Sequence, residues 1–270
     1  MGNSTKSIAI IGGGVAGITT AYFLAKKYKV VLFDPNGVAE QCSYANGGQL
    51  SVCNAEVWNS YNNIIKGIKW LTQPDAPLAF RPDHWSWSKV KWIAGFIGAT
   101  ITNKYDYNTR KTIEYSLRSR KLLKKLMKEI NIDFHHNECG ILHIYKNQKS
   151  WDKAQRTLDK FKDTGWDRVK TKTNLIKYNI KSNDVVGATI TKSDSVGDIH
   201  AFCTKLSTYM MSNKEYNYSF RINKIVRNEN EVLWSNPRDM AISIETLKKD
   251  YDKVIVCAGA YTKAFLPNLN

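Results

Sequence analysis

The residues with the clearest chemical pattern lie near the N-terminus, in the sequence Gly12-Gly13-Gly14-Val15-Ala16-Gly17. Gly12, Gly14 and Gly17 match GxGxxG, a spacing that allows a tight turn, close approach of the backbone to a pyrophosphate and close helix packing. Asp34 follows Gly12 after 22 positions, where its carboxylate can accept hydrogen bonds from ribose hydroxyls and would repel the 2′-phosphate of NADP. The pattern predicts a dinucleotide site and leaves FAD and NAD both open.

The elements around this pattern are those that position such a site. Residues 7–12 are predicted to form a buried strand, residues 15–27 a helix and residues 29–34 a second buried strand. This order is a βαβ unit, whose helix directs its positive N-terminal end at a pyrophosphate. The absence of a GK[ST] sequence after the glycines excludes a P-loop.

The rest of the sequence predicts mixed helices and strands. Helices are expected at about 109–130 and 201–211, and strands at 140–145, 185–190, 218–226 and 253–258. On the longer helix the residues expected to be buried are Leu122, Leu123, Leu126, Met127 and Ile130. The apolar strand at 253–258 predicts that the chain leaves the first sheet, builds a second domain and then returns to the first sheet.

The charge is strongly positive, with 40 Lys and Arg against 24 Asp and Glu and a formal net charge of +16. Nucleic acid or an anionic membrane would suit this charge. Richness in Lys, Asn, Ile and Tyr also fits drift in an A/T-rich genome, which we favour. The basic residues of the 109–130 helix come without a stacking set of aromatic residues, so we interpret them as a solvated face and expect no nucleic-acid partner.

Five cysteines are widely spaced and contain no CxxC, which indicates neither a disulfide framework nor a zinc site, and the histidines show no metal-ligand spacing. We expect no metal, a reducing cytoplasmic location and no signal peptide. The longest apolar stretch, residues 92–101, is about half of what a bilayer span needs. Trp85, Trp87 and Trp92, with Lys89 and Lys91, leave two interpretations open: docking on the inner face of a membrane, or packing inside a domain.

Several segments resemble, in order, the D-amino-acid dehydrogenase branch of FAD-dependent oxidoreductases, which is similar in fold to D-amino-acid oxidase and glycine oxidase. The resemblance begins in the loop from Gln41 to Ser51, QCSYANGGQLS. It continues at these positions: Trp58, Ile68-Lys69-Trp70, Ala76-Pro77-Leu78, Glu114-Tyr115-Ser116, Gly140-Ile141-Leu142, Val196-Gly197-Asp198 with Phe202, and Val256-Cys257-Ala258-Gly259-Ala260-Tyr261.

The resemblance implies an α/β fold in which a Rossmann-like FAD-binding domain, residues 1–60 and 186–270, is interleaved with an α+β substrate domain, residues 61–185. It implies FAD as cofactor. The residues expected to bind it are Ile11, Gly12, Gly13, Gly14, Val15, Ala16, Gly17, Phe33, Asp34, Ser43, Ala45, Asn46, Gly48, Gln49, Leu50, Ile222, Ala258 and Gly259. Ile222 aligns with a position whose backbone meets the adenine.

The implied reaction is the oxidation of a D-amino acid to an imino acid, which hydrolyses to a 2-oxo acid and ammonia; this branch passes electrons to a membrane quinone chain. Family members are longer, and the part beyond this sequence supplies the arginine that binds the substrate carboxylate, so the resemblance assigns no catalytic residue here. Three expectations follow: a flavoenzyme half completed by a partner chain, an inactive remnant, or, least favoured, a basic nucleic-acid-associated protein on a Rossmann scaffold.

Overall fold

The computed structural model describes residues 5–70, 86–102, 104–171, 185–228, 230–231 and 240–266. The strands within these ranges are β1 (Ser7–Ile11), β2 (Lys29–Asp34), β3 (Gln49–Leu50), β4 (Ile141–Tyr145), β5 (Arg168–Thr171), β6 (Gly187–Thr191), β7 (Ser195–Val196), β8 (Tyr218–Ile222), β9 (Ile225–Val226), β10 (Ile242–Ser243) and β11 (Lys253–Val256). The helices are α1 (Val15–Leu24), α2 (Tyr61–Trp70), α3 (Trp87–Ile101), α4 (Tyr105–Glu129), α5 (Gln148–Phe161), α6 (Ile199–Ser212), α7 (Ile244–Asp250) and α8 (Thr262–Phe265).

A four-stranded parallel sheet with the order β11-β1-β2-β8 forms the centre of one compact unit. Ile11 at the end of β1 lies beside Phe33 on one side and Val256 on the other, and Asp34 lies beside Ile222. The carboxyl ends of all four strands therefore meet at one edge, where open α/β sheets bind their ligands. The predicted strands at 7–12 and 29–34 and the helix between them are confirmed.

Apolar side chains cover both faces of this sheet because successive residues of a strand point to opposite sides. Ala9, Ile11, Val31 and Phe33 pack in one core cluster with Ile225, Ile244 and Leu247. On the opposite face, α1 and α6 pack together and supply buried side chains. The buried residues of α6 include Phe202, Cys203, Leu206 and Met210. A sheet covered on both faces explains why β1 and β2 are nearly continuous apolar runs.

The second compact unit is built on an antiparallel sheet of three strands with the order β4-β6-β5. Its core cluster holds residues from the turn after β3, from α4 and from the end of α5, namely Val52, Cys53, Ala55, Ile113, Ile141, Phe161 and Trp166. The parallel and antiparallel sheets thus lie in separate units.

The first unit comprises Met1–Gly48, Ile130–His136 and Gly197–Asn270, and the second comprises Gln49–Glu129 and Asn137–Val196. The predicted boundaries, after residues 60 and 185, differ from the divisions after Gly48 and Val196 by about a dozen residues, and Ile130–His136 was predicted in the other domain. The assignment of one domain to FAD and the other to substrate stays a prediction.

Three details differ from the sequence-based expectations. The predicted strand at 218–226 is two strands, since β9 leaves the parallel sheet and pairs with β10. Leu122 was expected to be buried but is exposed, whereas Leu126 and Ile130 are buried as expected. Some elements were not predicted at all: the helices α2, α3, α5, α7 and α8 and the strands β3, β5, β7 and β10. Of the segments that carried the resemblance, Ala76-Pro77-Leu78 lies outside the described residues, as does Trp85.

Candidate functional site

The glycine turn after β1 sits at the carboxyl edge of the parallel sheet. Gly12 has a φ of +108°, a left-handed conformation that favours glycine, and its N–H donates to the Phe33 carbonyl at 2.8 Å. A Cβ at Gly12 would lie 2.5 Å from the Cys257 carbonyl oxygen, just after β11. The first glycine therefore allows both the turn and the close passage of the returning strand.

Gly17 provides the close contact between α1 and this turn. A Cβ at Gly17 would lie 1.9 Å from the Gly12 carbonyl oxygen, a distance that no side chain tolerates. The helix consequently packs on the turn through bare backbone, as predicted for the third glycine of the pattern. Gly14 differs, since a Cβ there would come within 3.3 Å of Ser43 Oγ alone, which leaves room for a ligand beside it.

Asp34 is fixed at the end of β2 by two backbone donors. Its Oδ2 accepts the N–H of Gly13 at 2.8 Å and its Oδ1 accepts the N–H of Asn36 at 2.9 Å. A carboxylate oxygen has further lone pairs, so both oxygens can still accept ribose hydroxyls. The carboxylate thus orients the glycine turn and also stands where the sequence pattern predicts the ribose.

The N-terminus of α1 offers backbone donors without a competing negative charge. Its first turn contains no acidic residue. The N–H of Val15 donates to Ser43 Oγ at 3.0 Å, whereas those of Gly14 and Ala16 meet no acceptor within the described part of the chain. Val15 and Ala16 are exposed. Free N–H groups at the positive end of a helix form an anion site.

The loop after β2 is held in place by its own asparagine. Asn46 Nδ2 donates to the Ser43 carbonyl at 2.7 Å, and its Oδ1 accepts the N–H of Gly48 at 2.8 Å. Gly48 has a φ of +62°, and its carbonyl accepts the N–H of Gly197 at 2.8 Å. Two segments that carried the resemblance, the loop and the start of α6, are thereby brought together, and Ser43 is positioned under α1.

Other predicted residues lie at the ends of the flanking strands. Ile222 ends β8 beside Asp34 and is exposed, in a position to meet a ligand that extends past the ribose. Ala258 and Gly259 follow β11, and Gly259 has open space where a Cβ would stand. Cys257 precedes them, and burial raises the pKa of its thiol, which therefore stays protonated near neutral pH.

Two predicted residues belong elsewhere. Gln49 and Leu50 form β3 in the second unit, where they pair with β7, and Gln49 Oε1 accepts Asn54 Nδ2 at 2.9 Å. Their assignment to the cofactor stays a prediction. The sequence analysis missed Gly37 and Ala39, which both have positive φ; the N–H of Ala39 donates to the Gly13 carbonyl at 2.9 Å. A glycine soon after the acid of a βαβ unit could have indicated this turn.

These features fit a dinucleotide. The helix end, the close-packed glycines and the oriented carboxylate lie at one edge of a single sheet, with backbone donors for a pyrophosphate and a carboxylate for a ribose. Among the described residues no group of three or more His, Cys, Asp and Glu side chains is arranged to hold a metal ion. Within the same ranges, no helix combines the length and apolar character required to cross a bilayer.

Comparison with known proteins decides the family, because residues 7–270 match the family described as FAD dependent oxidoreductase, abbreviated DAO. The chain belongs to the FAD-dependent oxidoreductase family. FAD is the cofactor of this family, so the prediction of FAD rather than NAD is confirmed. Which residues contact FAD stays a prediction from the sequence.

The relatives of this FAD-dependent oxidoreductase agree with the resemblance. D-amino acid dehydrogenase 3 of Mesorhizobium japonicum is 33% identical over 264 residues, which are 95% of this chain and 61% of the relative. Among solved structures, iminodiacetate oxidase from Chelativorans sp. BNC1 has a TM-score of 0.56 at 16% identity. The match covers 96% of this chain and 57% of the oxidase chain. Glycine oxidase from Geobacillus kaustophilus has a TM-score of 0.53 at 17% identity, and the match covers 80% of this chain and 47% of the glycine oxidase chain.

These likenesses confirm the fold class, and the chain spans about 60% of the length of the curated relative that it matches.

Proposed function

We propose that this chain takes part in the FAD-dependent oxidation of a D-amino acid to a 2-oxo acid and ammonia through an imino acid. The observation that carries the proposal is the sheet edge, where the glycine turn, the N-terminus of α1 and Asp34 converge. The 33% identity to a protein named D-amino acid dehydrogenase 3 supports the D-amino acid as substrate.

The residues at the sheet edge have separate roles in this proposal. The N–H groups of Gly14 and Ala16 bind the pyrophosphate, because charge-assisted bonds to backbone donors are favourable at a helix N-terminus. Ser43 uses a lone pair to accept the Val15 N–H, which leaves its hydroxyl hydrogen for a phosphate oxygen. Asp34 accepts the ribose hydroxyls, and Ile222 lies next to the adenine.

The protein contributes binding and orientation, whereas the bound flavin supplies the redox chemistry by accepting a hydride from the substrate. Asp34 holds the glycine turn in shape, since its carboxylate accepts the Gly13 N–H. Such preorganisation reduces the entropy that binding must offset.

Anaerobic addition of D-alanine to the FAD-loaded chain tests the reaction. Loss of the visible flavin absorbance with D-alanine, but not with L-alanine, is expected if this chain reduces its cofactor. Loaded protein that keeps its absorbance with a panel of D-amino acids would contradict turnover by this chain and leave cofactor binding intact. The same assay with the remaining length of a relative's sequence added as a second chain tests the partner-chain arrangement.

A further inference from the structure

The loop between β2 and β3 is held by polar contacts rather than by a core of its own. From residue 40 to residue 47, Ser43 is the only buried residue. Its hydroxyl oxygen accepts the Val15 N–H at the beginning of α1, at 3.0 Å. A segment without buried apolar side chains is ordered only by the hydrogen bonds and ring contacts that it makes. The contacts between this loop and its neighbours therefore determine the position of Ser43.

His200, in the first turn of α6, contacts this loop twice. Its Nε2 lies 3.2 Å from Glu40 Oε1, and Nε2 is the donor because an ionised carboxylate only accepts. Its ring also meets the ring of Tyr44 edge to face, with centroids 4.9 Å apart and an interplanar angle of 84°. In the sequence, Glu40 precedes Ser43 and Tyr44 follows it directly. One histidine thus holds the loop on both sides of its buried serine.

The beginning of α6 is itself firmly anchored. Asp198 caps the helix by accepting the Ala201 N–H at 2.9 Å, and the N–H of Asp198 donates to the Phe134 carbonyl at 2.8 Å. The rings of Phe134 and Phe202 are both buried and lie edge to face, with centroids 5.2 Å apart. His200 therefore extends from a fixed helix to a loop that lacks a core.

The two contacts of His200 are accessible to water. Tyr44 is 63% exposed, and the side chains of Glu40 and His200 are 44% and 30% exposed. Ion pairs and hydrogen bonds that water can reach add little to the free energy of unfolding. Restricting a loop in its binding conformation, in contrast, lowers the entropy that ligand binding must offset. The contacts are therefore suited to raise ligand affinity with little effect on folding.

We infer that His200 is a positioning residue of the FAD site. It acts through the loop: by holding Glu40 and Tyr44 it keeps Ser43 in place beside the N-terminus of α1. Histidine suits this task because one ring presents both a donor to a carboxylate and an edge to an aromatic face. The inference rests on the proposed function, in which the Ser43 hydroxyl binds a phosphate oxygen of FAD.

Titration of the whole chain with FAD tests this with three variants of His200. His200→Ala removes both contacts and should weaken FAD binding by about fivefold. His200→Gln keeps a donor for Glu40 and His200→Phe keeps a ring edge for Tyr44, so each should lose less affinity than His200→Ala. The matched control is Thr208→Ala, at an exposed position further along α6, which should bind FAD like the wild type. Without FAD, the thermal midpoints of all four variants should agree with the wild type within about 3 °C.

A double variant distinguishes action through Ser43 from a general effect on the helix. Ser43→Ala removes the hydroxyl that the loop positions, so adding His200→Ala to it should weaken FAD binding no further. Losses of affinity that add in the double variant would overturn the inference. Wild type that binds FAD together with His200→Ala that binds it equally well would overturn the inference and leave the proposed function standing. Wild type that takes up no FAD would overturn both.

Discussion

The two compact units satisfy their buried polar groups in different ways. In the first, close packing of the glycine turn depends on missing side chains at Gly12 and Gly17, and the carboxylate that holds this turn, Asp34, is only partly buried. In the second, a fully buried carboxylate holds a turn: Asp194 accepts the N–H groups of Val52 and Cys53 at 2.9 and 3.0 Å and pairs with Arg120 at 3.4 Å.

This difference indicates that the sheet edge of the first unit can bind a ligand, whereas the surroundings of Asp194 in the second unit have a structural role. Backbone donors at the edge stay available for a ligand, whereas the donors around Asp194 are already used. A buried charge is tolerated only when it is paired and hydrogen-bonded. We therefore interpret Asp194 as a structural residue, and the first unit as the one that offers donors to a cofactor.

The largest effect is expected from Asp194→Ala, which removes the acceptor of two buried N–H groups and leaves Arg120 without its buried partner. The free energy of unfolding should fall by about 3–5 kcal/mol. Chemical denaturation measures this, with Asp163→Ala as control, because its ion pair with Arg110 is exposed and should contribute less than about 1 kcal/mol.

The same variant tests whether the units are separate. Burial raises the pKa of Cys53, in the second unit, to about 11 and that of Cys203, in the first, to about 12. Alkylation of each thiol in the native state therefore requires opening of its own unit. Asp194→Ala should accelerate labelling of Cys53 only; equal acceleration of both would contradict the comparison.

Gly17→Ala should destabilise the first unit by about 1–3 kcal/mol or more, since the new Cβ meets the Gly12 carbonyl and α1 must move. The expected thiol pattern is the reverse of the previous one, with faster alkylation of Cys203 and unchanged Cys53. A variant as stable as the wild type would show that α1 does not pack on the turn through bare backbone.

The second unit should also be the more sensitive to mild acid through His143. Burial, followed by the positive charge of Arg168, lowers the pKa of this histidine from 6.5 to about 4. The unfolded chain therefore binds the proton first, so the stability contributed by neutral His143 is present above pH 6.5 and is lost as the pH falls toward 4.

His143→Gln should accordingly lose less stability than the wild type between pH 7 and pH 5, measured by denaturation at both values. His135→Asn, at an exposed position with positive φ, serves as the control and should keep the wild-type difference. If the free energy of unfolding falls by the same amount in His143→Gln and wild type between pH 7 and pH 5, the histidine is not buried as described.

The smallest effect on stability is expected from Gly95→Ala in α3. This substitution should stabilise the protein, whereas Gly17→Ala should destabilise it. A Cβ at Gly95 meets nothing within 4 Å, so alanine should stabilise the helix by about 0.5–1 kcal/mol. Thermal denaturation measures it, and a destabilised variant would indicate that α3 has a partner at that position.

The sequence was most informative where short-range pattern determines structure. The glycines at 12, 14 and 17, the run of residues 29–34 and the distance to Asp34 predicted the turn, the strand and the acid at the sheet edge, because each depends on neighbours in a βαβ unit. The chain's return to the sheet as β11 was predicted from an apolar run that ends before glycine, together with the family resemblance.

Long-range side-chain contacts could not be predicted in this way. Val52 lies 142 positions from Asp194, and no periodicity connects a carboxylate to a turn at that distance. The helix α2 was missed because it is short and contains the weak helix formers Asn62, Asn63 and Gly67. The role of Asn46 within its loop also required coordinates, because an asparagine there suits a turn and a ligand equally.

The central claim is that the sheet edge holds FAD, and the most direct measurement is titration of the purified chain with FAD, comparing wild type, Gly14→Asp and Gly95→Asp. Aspartate at position 14 is a good N-cap residue for α1, so the variant should keep its thermal stability, but its carboxylate should repel the pyrophosphate. The account predicts saturable binding by wild type and Gly95→Asp and loss of binding in folded Gly14→Asp. Wild type that takes up no FAD, or Gly14→Asp that binds it equally well, would contradict the account.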